Sequence, residues 1–474
     1  MPRTFLAILE RLGEFFRRTS VQRVLVLVAG CLGIAFAGTI FAFSSFQLAL
    51  KQRYSFSQST VENIASLGNM GIAFGVLPGY LTDKYGGKLT LFIAIILQSG
   101  AYVVLWSAAP LVSFYNREAW LLHLYFFFVG LGGSFTYFSI LTINVGNFPR
   151  RHHGKVIGLL DAFLSAGKAV CAGIYGGLFV NGHINGDERK QDLAGYFITI
   201  AVLVAVVNTI CLLTQKRFPP EPEVDRGEAD DSIELVTQNS EPSESTSLTQ
   251  VKPHISEDDQ TILVLFKDWD FWYMLLIVTF GTSVQLTIIA NYTLFLQSFG
   301  HEELNVAFTV ASPLVGCFAK AFSGLLSDFV IKELPREYFV LITAAAQTII
   351  LVLFIFYGDS VLMMIFLVIG INIPNGALWS LAPVITVEIF GLKHLGRNWG
   401  FFQAGSCIGV VVLQRIYGAL YDYYGYIDAT TGETKCFGRK CFMLSTTVSA
   451  VLSACSVLLL IGLLERKYNA LRKR

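Results

Sequence analysis

Charge is scarce in this chain. Only 15% of its 474 residues are Asp, Glu, Lys or Arg, against 54% hydrophobic residues, and that balance excludes an ordinary soluble protein of this length. Seven histidines and eight cysteines are dispersed rather than gathered at ligand spacing, so no metal site, no cofactor and no nucleophilic triad is expected. The phosphate-cradling pattern G-x-x-x-x-G-K-[ST] does not occur, which argues against direct use of ATP and against an enzyme built on it. A net charge of +1 gives no argument for a nucleic-acid partner, and none is expected.

Long apolar runs take the place of charge. A helix needs about 20 apolar residues to cross a bilayer, and the sequence holds a dozen such runs: 24–48, 61–81, 89–109, 119–142, 156–180, 194–213, 271–296, 306–327, 338–357, 361–386, 399–421 and 443–464. An all-α membrane protein follows, with the lipid bilayer as its surroundings.

One stretch occurs twice. FPRRHHGKVIGLLDAFLSAGKAVCAGIYGG, from Phe148 to Gly177, lies without a gap on FGLKHLGRNWGFFQAGSCIGVVVLQRIYGA, from Phe390 to Ala419. Gly154 falls on Gly396, Gly158 on Gly400, and Ile174-Tyr175-Gly176 on Ile416-Tyr417-Gly418. A second repeat runs at nearly the same offset. GYLTDKYGGK, from Gly79 to Lys88, has a degenerate partner in Gly324-Leu-Leu-Ser-Asp328, which keeps the Gly and Asp and loses the basic turn. Duplicated membrane segments are a common way to build carriers with a midplane site between halves. The expected architecture is therefore twelve transmembrane helices in two six-helix pseudo-symmetric bundles, residues 24–213 and 263–464. Residues 1–23 form an amphipathic N-terminus in this reading, 465–474 a tail, and 214–262 a linker rich in Pro, Ser, Glu and Asp with too few apolar residues to fold.

The distribution of charge sets the orientation. With the N-terminus in the cytosol, the termini and even-numbered loops hold most of the 35 Lys and Arg residues, which places both termini there. No cleavable signal is expected, because Met1 to Arg23 is basic and lacks a small-residue cleavage site. On the opposite side Cys436 and Cys441 bracket a short loop. An oxidising exterior or lumen would permit a disulfide between them; a metal site is the alternative, but no His or second Cys pair accompanies it.

Gly79, Asp83, Lys84, Gly86 and Lys88, with Gly324 and Asp328, are expected to form a conformational lock at the cytosolic helix ends. In it the Asp83 carboxylate holds the outward-open state beside its basic turn. At membrane depth, ionisable side chains are costly and mark functional candidates: Asp161, Lys168, Lys320 and Arg415. Asp161 and Lys168, seven residues apart on one helix face, are expected to act as a pair, although two helical turns separate them by about 10.5 Å. Lys320 is the candidate anchor for a solute carboxylate. Tyr137, Gln285, Asn372 and Asn375 are expected to line the site, with Gln47, Asn291 and Trp379 as further polar candidates; each serves equally as hydrogen-bonded helix glue. His123 reads as a packing residue, and Arg415 lies near enough to an end to snorkel.

NFPRRHHGKVIGLL at Asn147 to Leu160, EIFGLKHLG at Glu388 to Gly396 and CFGRKCF at Cys436 to Phe442 resemble the nodulin-like branch of the major facilitator superfamily, which is itself similar to the yeast monocarboxylate-transporter homologues. The resemblance covers nearly the whole membrane portion. It implies a secondary transporter or facilitator of a small organic, carboxylate-bearing solute by alternating access, with room for a coupled proton and with the monomer as working unit. Two positions depart from the pattern: related sequences carry a basic residue where Asp161 stands and a small one where Lys168 stands. The rival from another class is a non-transporting sensor or adaptor that has kept the fold. The plasma membrane and an endolysosomal or vacuolar membrane fit the sequence equally.

Overall fold

The computed structural model describes residues 19–183, 187–219, 262–330, 334–427 and 434–472. Residues 1–18 of the expected amphipathic N-terminus, most of the linker and the last two residues of the tail lie outside these. Among the described residues, twelve helices are long and apolar enough to cross a membrane: α1 (Thr19–Ser45), α2 (Thr60–Tyr85), α3 (Gly87–Ala108), α4 (Trp120–Asn147), α5 (Arg150–Leu178), α6 (Leu193–Thr214), α7 (Trp269–Ala290), α8 (Val310–Val330), α9 (Arg336–Tyr357), α10 (Val361–Phe390), α11 (Leu395–Tyr424) and α12 (Met443–Asn469). All twelve expected spans are present.

Several ends differ, each for a physical reason. α5 begins at Arg150 and α11 at Leu395, earlier than the apolar runs suggest. Their first free N–H groups are capped by carboxylates from other helices, which stabilises polar residues in helical form. α7 stops at Ala290, and a separate short helix, Tyr292–Ser298, follows. Asn291 turns its Nδ2 back onto the Thr287 carbonyl (2.7 Å) at this break.

Within each half, every third helix is the most enclosed. α1 and α4 in the first half, and α7 and α10 in the second, bury the largest shares of their apolar windows. These four form the inner wall, and α3, α6, α9 and α12 stand outside them. The halves meet through α2 against α11 and α5 against α8.

Glycines set how closely those pairs approach. A Cβ on Gly79 would strike the backbone of Gly396, and one on Gly324 the backbone of Gly154; Gly75 and Gly400 meet likewise. Hydrogen bonds between the halves cluster from the midplane to the side that carries the Gln215 end of α6 and the start of α7, the linker side. On the far side, Gly173, Gly176 and Gly177 of α5 and Gly418 of α11 have nothing within 4 Å of their Cβ positions. These hydrogen bonds thus join the halves on the linker side, while the far-side glycines stand in open space.

Beyond α11, a two-strand antiparallel hairpin, β1 (Tyr426–Ile427) and β2 (Thr434–Lys435), leads into a loop in which Cys436 and Cys441 are joined by a disulfide. Gly438, at φ +84°, turns this loop so that its N–H reaches the Ser298 carbonyl (2.8 Å). Arg439 holds Asp359 at 2.8 Å, and this guanidinium lowers the Asp359 carboxyl below its usual range.

Candidate functional site

Two latches close the linker side. At the end of α2, Asp83 accepts hydrogen bonds from the N–H of Gly396 (3.1 Å) and of Arg397 (2.8 Å), the first turn of α11. At the end of α8, Asp328 accepts from the N–H of Gly154 (3.1 Å) and of Lys155 (2.7 Å), the first turn of α5. Each carboxylate sits at the positive end of a helix dipole in the opposite half. Gly79 and Gly324, four residues earlier, bring the backbones together so that the short Asp side chain can reach.

The two basic residues expected in the lock stand elsewhere. Lys84 is exposed, with its ammonium 3.2 Å from the Tyr80 hydroxyl and over the Tyr80 and Tyr85 rings, and Lys88 is exposed as well. The helical advance of one residue turns Lys84 away from the seam that Asp83 faces. Gly86, at φ +86°, makes the tight turn into α3.

The second latch carries a buried extension. Arg336, 1% exposed at the start of α9, donates to Asp328 (2.6 Å), pairs with Glu388 near the end of α10, and reaches the Arg150 carbonyl (3.4 Å). Beside it Glu337, fully buried, pairs with Lys467 of α12 at 2.6 Å.

At the midplane, α5 and α8 bring opposite charges together. Asp161 is completely buried, and neither carboxylate oxygen makes a hydrogen bond of good geometry. Lys320 lies within electrostatic reach of it from α8, and the Tyr137 hydroxyl stands beside it. The Lys320 ammonium, on a residue only 8% exposed, donates to Ser165 Oγ (2.9 Å) and lies 5.8 Å from the Trp379 ring. Trp379 packs edge-on against Trp399. Tyr137 Oη, Trp399 Nε1 and Gln403 Oε1 are buried around this pair without a hydrogen bond of good geometry, the tyrosine hydroxyl beside both the Asp161 carboxylate and the Trp399 indole. Donors and acceptors held short of good hydrogen bonds at membrane depth carry a cost that a better partner would relieve.

This corrects the expected pairing of Asp161 with Lys168. Lys168 is on an exposed part of α5, two turns toward the far side, and the closer cation comes from another helix. Gln285 and Asn375 also depart from expectation. Asn375 donates to Gln285 (3.2 Å), Gln285 to Gln347 (2.9 Å), and Gln347 to Ser453 (3.1 Å), a chain leading into the second half between α7, α9 and α12. Asn372 bonds Ser312 (3.0 Å) and the Val368 carbonyl (2.8 Å) and so ties α8 to α10. These three amides are satisfied within their own half and act as helix glue. His123 donates Nδ1–H to the Ala119 carbonyl (2.7 Å), while Arg415 and Gln47 are exposed.

Sequence reasoning passed over Ser165, Trp399, Gln403, Arg336 and Glu388. For Gln403 the signal was there: the internal repeat lays it on Asp161, and both occupy the same buried level of their helices.

Residues 25–414 match the family model described as Major Facilitator Superfamily. Similar sequences include "Probable transporter MCH1" of Candida albicans, 25% identical over 403 residues that cover 84% of each chain. The protein of the same name from Saccharomyces cerevisiae is 21% identical over 443 residues, 88% of this chain and 89% of that one. Among solved structures, the proton:xylose symporter XylE bound to 6-bromo-6-deoxy-D-glucose superposes with a TM-score of 0.64 at 11% identity, covering 93% of this chain and 95% of the other. A bacterial homologue of the iron transporter ferroportin in its outward-facing state gives 0.61 at 13% identity, with 94% and 99% covered.

Proposed function

The chain belongs to the Major Facilitator Superfamily, and from that premise we propose that it carries a small carboxylate-bearing organic solute across a membrane by alternating access of its two halves. The observation that carries the substrate class is the Lys320 ammonium, buried between the halves and hydrogen-bonded across them to Ser165. An ammonium at this depth needs a negative partner. Asp161 fills that role in this structure, and an arriving solute carboxylate competes for it. Once the solute holds Lys320, Asp161 is left buried without a counter-charge, and a proton neutralises it; solute and proton then travel together. Tyr137, Trp399 and Gln403 offer the unmet donors and acceptors that orient the rest of the solute.

In this reading the far side is the entrance, and the two latches break to release the solute on the linker side. By the distribution of Lys and Arg, the linker side is the cytosol. The motif resemblance supports placing the chain in the nodulin-like branch, with the monomer as the working unit.

Purified full-length protein in liposomes tests the proposal, screened against carboxylates, amino acids and sugars with and without a pH gradient. Saturable carboxylate uptake that a proton gradient stimulates is expected in the parent, with uptake abolished in Lys320→Ala and the gradient dependence lost in Asp161→Asn. Carboxylate uptake of normal affinity in Lys320→Ala overturns the assignment, as does a solute without an anionic group.

A further inference from the structure

The chain does not leave the first half when α6 ends. The Gln215 side chain, 1% exposed, donates to the Val26 carbonyl (2.9 Å) and accepts from Asn144 (3.0 Å). Asn147, at the end of α4, donates to the Lys216 carbonyl (2.8 Å) and accepts from the Phe218 N–H (2.9 Å). Arg23 of α1 donates to the Pro219 carbonyl (2.6 Å). Residues 215–219 are therefore a strap bound to α1 and α4 by side chains that are themselves buried, and the strap moves with the first half.

Arg217 lies between these pins and is exposed. Its Nε is 4.0 Å from the Cβ position of Gly146, and Leu392 of the α10–α11 turn is 3.6 Å from the same point, which sets the guanidinium on the seam. Asp83 is within its electrostatic reach.

The second latch shows why this matters. Asp328 has a cation of its own half, Arg336, 8 residues further along the chain. At the same spacing from Asp83 stands Leu91, fully buried and apolar. What the other half gives Asp83 in the closed state is the Gly396 and Arg397 N–H groups and the Arg397 charge. Parting the halves removes all of it, and a part-buried carboxylate without a counter-charge resists that step.

We propose that Arg217, carried on this strap, is the counter-ion Asp83 keeps when the linker side opens, so that the first residues of the linker set the balance between the open and closed gate. Arg217 acts through Asp83 and touches no solute; it is a positioning residue. The inference uses the alternating-access part of the proposed function and none of its solute assignment.

Full-length protein in nanodiscs, with spin-label pairs across the linker side and across the far side, tests this without any solute. Arg217→Gln is expected to lower the linker-side-open to closed ratio by about threefold, the scale of a single solvent-exposed ion pair. Arg217→Lys is expected to restore most of it, and in an Asp83→Asn background Arg217→Gln is expected to change nothing further. Unchanged distance distributions in Arg217→Gln overturn the proposal, and so does an equal shift with Asp83 present or neutralised. A protein that moves no carboxylate yet shows the Asp83-dependent shift leaves this inference standing and removes the solute assignment alone.

Discussion

The two linker-side latches share one geometry and differ in what surrounds it. The α2 latch carries Gly, Asp and basic turn together in Gly79 to Lys88, whereas the α8 latch keeps only its Gly and Asp, yet both carboxylates cap a helix across the seam at 2.7–3.1 Å. The comparison separates parts of the signature that a sequence shows together. Gly and Asp make the contact, because only a side-chain-free position lets the backbones close enough for an aspartate to reach the N–H groups. The basic turn is a different device. Lys84 and Lys88 face solvent at the membrane edge, where they suit an anionic leaflet rather than the latch. The latches also differ in autonomy, since Asp328 is paired at 2.6 Å with a buried cation of its own half, whereas the hydrogen bonds at Asp83 all come from the opposite one.

The largest effect that would sharpen this contrast is expected from Arg336→Gln. It leaves Asp328 and Glu388 uncompensated at a buried position, a loss on the order of 3–5 kcal/mol. Thermal unfolding in detergent should show a strong drop or failure to accumulate folded protein. A variant as stable as the parent means that the α8 network is not a buried ion pair in solution.

Next come the latch carboxylates. Asp83→Asn and Asp328→Asn each replace charge-assisted bonds by neutral ones, a change of about 1–2 kcal/mol. Each should raise the linker-side-open share by roughly tenfold, read by labelling of cysteines placed on the two sides. Asp328→Asn should in addition lower stability, because Arg336 loses a partner. If only one of the two shifts accessibility, the latches are not equivalent gates.

The smallest effect is expected from Lys84→Gln combined with Lys88→Gln. The gate balance should stay within about 0.5 kcal/mol of the parent. A shift as large as that of Asp83→Asn would return the basic turn to the latch.

Much of the fold was legible in the residues. A bilayer demands long apolar runs, and each of the twelve was visible as such. Gly79, Gly154, Gly324 and Gly396 were legible too, because a glycine needed for backbone contact cannot be replaced without changing the contact, and the internal repeat doubles the signal. The helix starts at Arg150 and Leu395 were not, since the carboxylates that cap them lie far away in sequence.

The site divides the same way. Sequence by itself singled out Asp161 and Lys320 as candidates, because an ionised side chain inside an apolar run is expensive wherever it points. It determined no partners. Asp161 could be matched to Lys168 by helical spacing, but the rotation of each helix about its axis is set by packing, and packing brings Lys320 of α8 to Asp161 and leaves Lys168 exposed. The same rotation turns Gln285 and Asn375 toward Gln347 and Ser453, and folds the strap at Gln215–Pro219 back beneath α1 and α4. Composition and period fix which residues must be satisfied in a membrane, and only the tertiary structure decides by whom, since hydrogen bonds and ion pairs are short-ranged and their partners come from helices distant in the chain.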